Sequence, residues 1–68
     1  MTLTLNGEPR ELHDGTTVAQ LVDDVHAGDA RRGVAVAVDS EVVPRSEWAR
    51  TTLHDGAQVE ILVAVAGG

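Results

Sequence analysis

The chain has 68 residues, with no cysteine, no lysine and a formal net charge of -6. That length allows one domain burying about 60% of the surface its unfolded chain would expose, which leaves little room for a deep substrate cleft. Disulfides and thiol chemistry are excluded, and five arginines against eleven acidic residues speak against nucleic acid, whose phosphates require basic patches.

Glu8 and Glu11 interrupt the N-terminal region where a signal peptide would need an apolar run. No apolar stretch of about 18 residues is present that could span a membrane. The expected place of work is the cytoplasm. Apart from Trp48, the larger apolar residues are almost all Val, Leu and Ile, and Phe and Tyr are absent. Such a β-branched core favours strands.

In chain order, Leu3 and Leu5 alternate with Thr2 and Thr4, the pattern of a half-buried strand. Asn6-Gly7 tolerates the positive φ angles of a tight hairpin and predicts a second strand over residues 8–12. Pro9 lacks an N–H, so that strand belongs at an edge. Asp14-Gly15 turns the chain again. Thr17-Val18-Ala19-Gln20 has the spacing of a capping box, and Val18, Leu21, Val22 and Val25 form one apolar stripe of a helix. Gly28 is the expected helix stop.

Residues 34–38, Val-Ala-Val-Ala-Val, predict a strand with its valines inward and Ala35 and Ala37 forming a flat outer strip. Asp39-Ser40 turns into a short strand over residues 41–43, ended by Pro44. Residues 45–50 are too short for a stable helix and are expected to form a turn holding Trp48, as a core plug or a lid over the sheet edge rather than a binding anchor. After the turn at Asp55-Gly56, residues 58–65 predict a last strand. Val59, Ile61 and Val63 have inward parity, and Leu62 and Ala64 outward parity.

The order strand, strand, helix, strand, short strand, strand suits a two-layer α+β domain. The specific expectation is a β-grasp, or ubiquitin-like, fold. It has a mixed sheet of four to five strands and one main helix on one face. Residues 1–65 would make this domain and residues 66–68 a flexible Gly-Gly tail.

Side chains able to do chemistry are sparse. His13, His26 and His54 lack a metal-ligand spacing, and no Asp/Asn loop with a closing Glu suggests a hard-ion site. Asp23 and Asp24 point about 100° apart on a helix and read as solvated surface. Ser40 and Ser46 have no plausible triad partners, and the glycines form no nucleotide-binding motif. No catalytic residue, metal or bound cofactor is expected.

The distinctive feature is the end, Ala66-Gly67-Gly68. Two terminal glycines arise by chance in about one chain in two hundred at about 7% glycine usage. Lacking Cβ atoms, they make a thin, conformationally free segment that fits a narrow channel. A terminal carboxylate is ionised at neutral pH and is a poor electrophile. A partner enzyme must first convert it to a mixed anhydride, such as an acyl-adenylate, before a nucleophile such as sulfur can take the acyl group. Without cysteine, a sulfur carrier of this sequence could hold sulfur only as a thiocarboxylate at Gly68. Without lysine, it cannot build side-chain-linked polymers of itself.

Several segments in order resemble the ThiS sulfur carriers of thiamine biosynthesis. They are Asn6-Gly7-Glu8, Thr17-Val18-Ala19-Gln20-Leu21, Val34-Ala35-Val36-Ala37-Val38 and Val42-Val43-Pro44-Arg45-Ser46-Glu47-Trp48. Leu53 with Asp55-Gly56, Val59-Glu60-Ile61, and Ala64-Val65-Ala66-Gly67-Gly68 complete the set. Ala57-Gln58 departs from the family pattern, which usually has Asp directly after Asp-Gly; the expected effect is on a turn rather than on activity.

The resemblance implies an adenylating, ubiquitin-activating-like enzyme that uses ATP and magnesium on the Gly68 carboxylate. It also implies a cysteine-derived sulfur donor system, and thiazole synthase as the acceptor of the sulfur. The chain itself would be a co-substrate. Gly67 and Ala66 would thread into the partner. A docking surface is expected at Leu62 and Ala64, adjoined by Ala35 and Ala37. Two other readings are a carrier for molybdopterin or another thiolated product, and a ubiquitin-fold binding module with an inert tail.

Overall fold

The computed structural model describes residues 1–25 and 33–63. Its elements are β1 (Thr2–Leu5), β2 (Glu8–Glu11), α1 (Val18–Val25), β3 (Val34–Val38), β4 (Glu41–Val43), a 3₁₀ helix (Arg45–Arg50) and β5 (Gln58–Val63). The expected helix stop at Gly28 and the whole of the C-terminal Ala64, Ala66, Gly67 and Gly68 lie outside the described residues.

Turn chemistry sets the two hairpins. Asn6 and Gly7 have φ of 50° and 84°, and Leu5 pairs with Glu8 across them. Both central residues of such a turn need positive φ, which Asn and Gly tolerate best. Asp39 and Ser40 repeat the device with φ of 50° and 71°, joining Val38 to Glu41. Strand β2 lies at the sheet edge, where Pro9 removes no inner ladder bond.

Helix α1 opens on the predicted capping box. Gln20 N–H donates to Thr17 Oγ1 at 3.2 Å, and Thr17 N–H donates to Gln20 Oε1 at 2.9 Å. Two otherwise unpaired N–H groups are thereby satisfied. The stripe behind the box buries Val18, Leu21 and Val22, with Val25 partly buried against the same core.

The sheet has five strands in the order β2-β1-β5-β3-β4. The last strand in sequence is central: β5 runs parallel to β1 and antiparallel to β3. A mixed five-stranded sheet with one α-helix is the expected β-grasp arrangement. The valines of β3 point as predicted, with Val34 and Val36 buried and Ala35 exposed. Their core also contains Leu3, Leu53, Val59 and Ile61.

Residues 45–50 differ from the expected turn. They form a 3₁₀ helix, which closes on i→i+3 bonds and is stable in shorter pieces than an α-helix. Glu47 N–H donates to Pro44 O at 2.8 Å. The segment drives Trp48 into the core, 2% exposed, and its indole N–H donates to Val43 O at 2.8 Å. Val63 also differs. It has the inward parity of Val59 and Ile61 but remains 46% exposed. It pairs with Val34 on one side, while the β1 pairing of β5 stops at Leu5 and Val59.

Candidate functional site

Three features bear on β5. The first is its direction: Val63 is the last described residue, and Gly68 follows five positions later. A chain spans at most about 3.5 Å per residue, so Gly68 lies within about 18 Å of Val63.

The second feature is the sheet face away from α1. Antiparallel register sets Leu62 opposite Ala35 and Glu60 opposite Ala37. Ala37 in turn faces Val42. Residues directly opposite share a face, so Leu62, Ala35, Ala37 and Val42 form one apolar strip across β5, β3 and β4. Leu62 is 68% and Val42 75% exposed. Ala35 is exposed and Ala37 half-buried. The sequence reading omitted Val42. The signal was available in strict alternation, since an inward Val43 forces Val42 outward. Glu60, exposed beside Ala37, makes this strip acidic at one margin.

The third feature is a pair of side-chain latches on β5. Asn6 Oδ1 accepts Ile61 N–H at 2.9 Å, and Asn6 Nδ2 donates to Ile61 O at 3.2 Å. At the other end, Asp39 Oδ1 accepts Gln58 N–H at 2.9 Å, and Asp39 N–H donates to Gln58 O at 2.8 Å. Both latching residues sit at positive φ in two-residue turns. Their side chains therefore leave the hairpins and reach the central strand.

Among the described residues no conventional catalytic arrangement is assembled. His13 and His54 are exposed, and His26 lies outside the described residues. Among the described residues no group of three or more His, Asp or Glu side chains could hold a metal ion. Asp23 and Asp24 are exposed on α1, and Asp24 pairs with Arg10 at 3.1 Å. Ala57, where the sequence departs from the family pattern, is fully buried, and the preceding Gly56 turns at φ 82°. No helix among the described residues is long and apolar enough to cross a membrane.

Known proteins resemble this chain over its full length. The sulfur carrier protein ThiS of Escherichia coli is 31% identical over 68 residues, covering 100% of both chains. A thiazole synthase of Paramagnetospirillum magneticum is 37% identical over the same 68 residues, of which the present chain spans only 20% of the length. The crystal structure of the thiamine biosynthesis protein ThiS from Geobacter metallireducens superposes with a TM-score of 0.82 at 31% identity, covering 100% of both chains. The model of the ThiS family matches residues 3–68, a span that contains β1 from Leu3 on, all of β2 through β5, and both terminal glycines. By the length of that match, and by a fold shared with a ThiS crystal structure, the chain belongs to the ThiS family.

Proposed function

We propose that the carboxylate of Gly68 is the working group of this protein and that the β-grasp body, residues 1–65, is the handle by which partner enzymes hold it. As a ThiS-family member the chain is a sulfur carrier of thiamine biosynthesis and not an enzyme. The observation that carries the finer reading is the family match running through Gly67-Gly68, at the end of a chain whose central strand leads into that segment.

The chemistry follows from the groups present. With no cysteine in the chain, sulfur can be held only by the terminal acyl group. The carboxylate attacks a nucleotide phosphate in an adenylating partner that uses ATP and magnesium. Pyrophosphate leaves, and the carboxylate becomes an acyl-adenylate. Sulfur of cysteine origin then displaces the nucleotide and leaves a thiocarboxylate on Gly68. Gly67 and Ala66, with small side chains or none, thread the tail into each partner. The cytoplasm, where ATP is available, is the proposed place of work.

Thiazole synthase is the proposed acceptor. A protein of that name contains a segment 37% identical to this entire chain, and the segment is only 20% of its length. Carrier-like and other sequence are thus joined in one polypeptide there, which supports a physical partnership. The strip of Leu62, Ala35, Ala37 and Val42 is the proposed docking surface for the adenylating enzyme or thiazole synthase; Ala64, the other residue expected there from the sequence, lies outside the described residues. Exposed apolar patches of this kind mark partner sites. Leu62 is six residues from Gly68, so the reacting centre must lie within about 20 Å of the docked strip.

Intact-mass analysis tests the reading after incubation with the adenylating enzyme, ATP, magnesium and a sulfur donor. The expected product carries sulfur in place of one terminal oxygen. Deleting Gly68, or extending the chain beyond it, should abolish that product without unfolding the domain. An unchanged mass with the active partner present would show the tail to be inert. Disrupting the gene should create a thiamine requirement; a molybdoenzyme defect instead would redirect the assignment to molybdopterin.

A further inference from the structure

We propose that Asn6 is a positioning residue for sulfur transfer, its carboxamide supplying the missing rung that holds the last part of β5 against β1. The proposal rests on the reading that Gly68 is the working end.

The ladder between β1 and β5 is parallel, and its rungs recur every second residue. Thr4 N–H donates to Ala57 O at 2.9 Å, and Asn6 N–H donates to Val59 O at 2.8 Å. The next rung would pair Ile61 O with the N–H of Glu8. Glu8 has already turned back to face Leu5 in the hairpin, so the main chain has no group to offer there. The Asn6 side chain takes that place. One peptide-like amide gives an acceptor to Ile61 N–H at 2.9 Å and a donor to Ile61 O at 3.2 Å. The orientation of the amide is unambiguous, because Ile61 N–H can only donate and Ile61 O can only accept.

This bond pair lies at a sensitive point. Ile61 is the residue before exposed Leu62 and two before Val63. On its other flank β5 is held by β3 through Val34 and Val63. On the β1 flank the named pairing stops at Val59, and the Asn6 carboxamide is the group that carries it on to Ile61. It therefore fixes the β1 flank of the strand from which the segment carrying Gly68 continues in sequence. Small errors in aim are costly when a reacting group must be held in attack geometry. The hydrophobic core does not depend on this carboxamide, since Val59 and Ile61 are buried by their own side chains.

Two variants separate positioning from folding. Asn6→Gly keeps the φ of 50° accessible and removes the carboxamide together with its Cβ. Hydrogen exchange followed by NMR should show the Ile61 amide losing about tenfold in protection, while Val36 in β3 keeps its own. Assayed with the adenylating enzyme, the variant should lose kcat several-fold with KM unchanged, because the docking strip is untouched. Asn6→Asp supplies the rescue. Its protonated carboxyl offers one donor and one acceptor, as the amide does, whereas its ionised form sets a second acceptor against Ile61 O. Protection at Ile61 should be near wild type at acid pH and fall as the carboxyl ionises.

Unchanged Ile61 protection in Asn6→Gly would overturn the latch. Lost protection with unchanged kcat would reduce it to a stabilising contact, and so would a uniform loss of protection through β3 and β5; either outcome overturns the positioning role. Failure of the carrier reading is distinguishable, because wild-type protein would then show no oxygen-for-sulfur exchange while the exchange data on Ile61 still stood.

Discussion

His54 Nε2 lies 2.7 Å from Asp39 Oδ2, and the other ring nitrogen, Nδ1, lies 2.9 Å from the carbonyl oxygen of Asp55. Both partners are acceptors only, since the carboxylate is ionised and a carbonyl never donates. Both ring nitrogens must therefore carry protons, and only the imidazolium form satisfies the arrangement. Deprotonation of His54 breaks one of the two bonds. The same carboxylate holds Gln58 N–H, so this cluster joins the β3–β4 turn to the start of β5.

A pH dependence of stability follows from that cluster. The hydrogen bond to Asp39, then that to the Asp55 carbonyl, raises the His54 pKa above 6.5. The Gln58 backbone hydrogen bond, then that of His54, lowers the Asp39 pKa below 3.8. A raised cationic pKa contributes stability that is fully present below pH 6.5 and lost as pH rises through the folded value. A depressed carboxylate pKa contributes stability present above pH 3.8 and lost as pH falls through its folded value. The pair is therefore strongest between pH 3.8 and 6.5. Thermal melts should show the gap between wild type and His54→Ala widest in that window and closing toward alkaline pH. Both side chains are about half exposed, so added salt should narrow the gap. A gap independent of pH would show that the ring contributes by contact alone.

Trp48 should be the residue least tolerant of truncation. It is 2% exposed, the largest fully buried side chain among the described residues, and it ties Val43 O to the 3₁₀ helix. Trp48→Ala should cost about 3–5 kcal/mol, against a total of roughly 3–10 kcal/mol for a chain of this size. Trp48→Phe keeps most of the volume but leaves the Val43 carbonyl without its donor, for a loss of about 1–3 kcal/mol. Urea titrations read both values, and the chain's only Trp serves as the fluorescent probe in the wild type. A loss below about 1 kcal/mol for Trp48→Ala would contradict this burial.

Leu62 separates docking from folding. Its side chain is 68% exposed, so Leu62→Glu should lower stability by no more than about 1 kcal/mol. If the strip docks on the adenylating enzyme, the same change should weaken binding at least about tenfold, as read by calorimetry or by KM. Val42→Glu, on the opposite margin of the strip, should act in the same direction. Unchanged affinity in both variants would move the docking surface elsewhere.

Much of the molecule was legible because its signals are local. Period-2 alternation assigned Ala35 and Leu62 to the outer face, and the helical period assigned Val18, Leu21 and Val22 to the core. Asn6-Gly7 and Thr17 to Gln20 wrote a turn and a cap into four or fewer residues each. The terminal glycines and the absent cysteines are the local signals behind the proposal that the Gly68 carboxylate carries the sulfur. Each of these depends on backbone preferences of neighbours in sequence, and those survive without knowledge of the rest of the chain. The 3₁₀ helix around Trp48 was less legible, since six residues carry too few periods to tell a turn from a helix.

Tertiary structure decided what lies beside what. Strand edges present the same N–H and C=O groups whatever their sequence, so no pattern in residues 58–63 says that they insert between β1 and β3. The Asn6 carboxamide meets Ile61 across a sequence separation of 55 residues, and the Asp39 carboxylate meets Gln58 across 19. Both contacts exist only once the core has brought the strands together. The sequence by itself determined the strand faces and the turns, and it carries the Gly-Gly end on which the proposed sulfur chemistry rests. Only the fold placed the last strand at the centre of the sheet and latched it at both ends, because long-range pairing is chosen by global packing rather than by local dihedral preference.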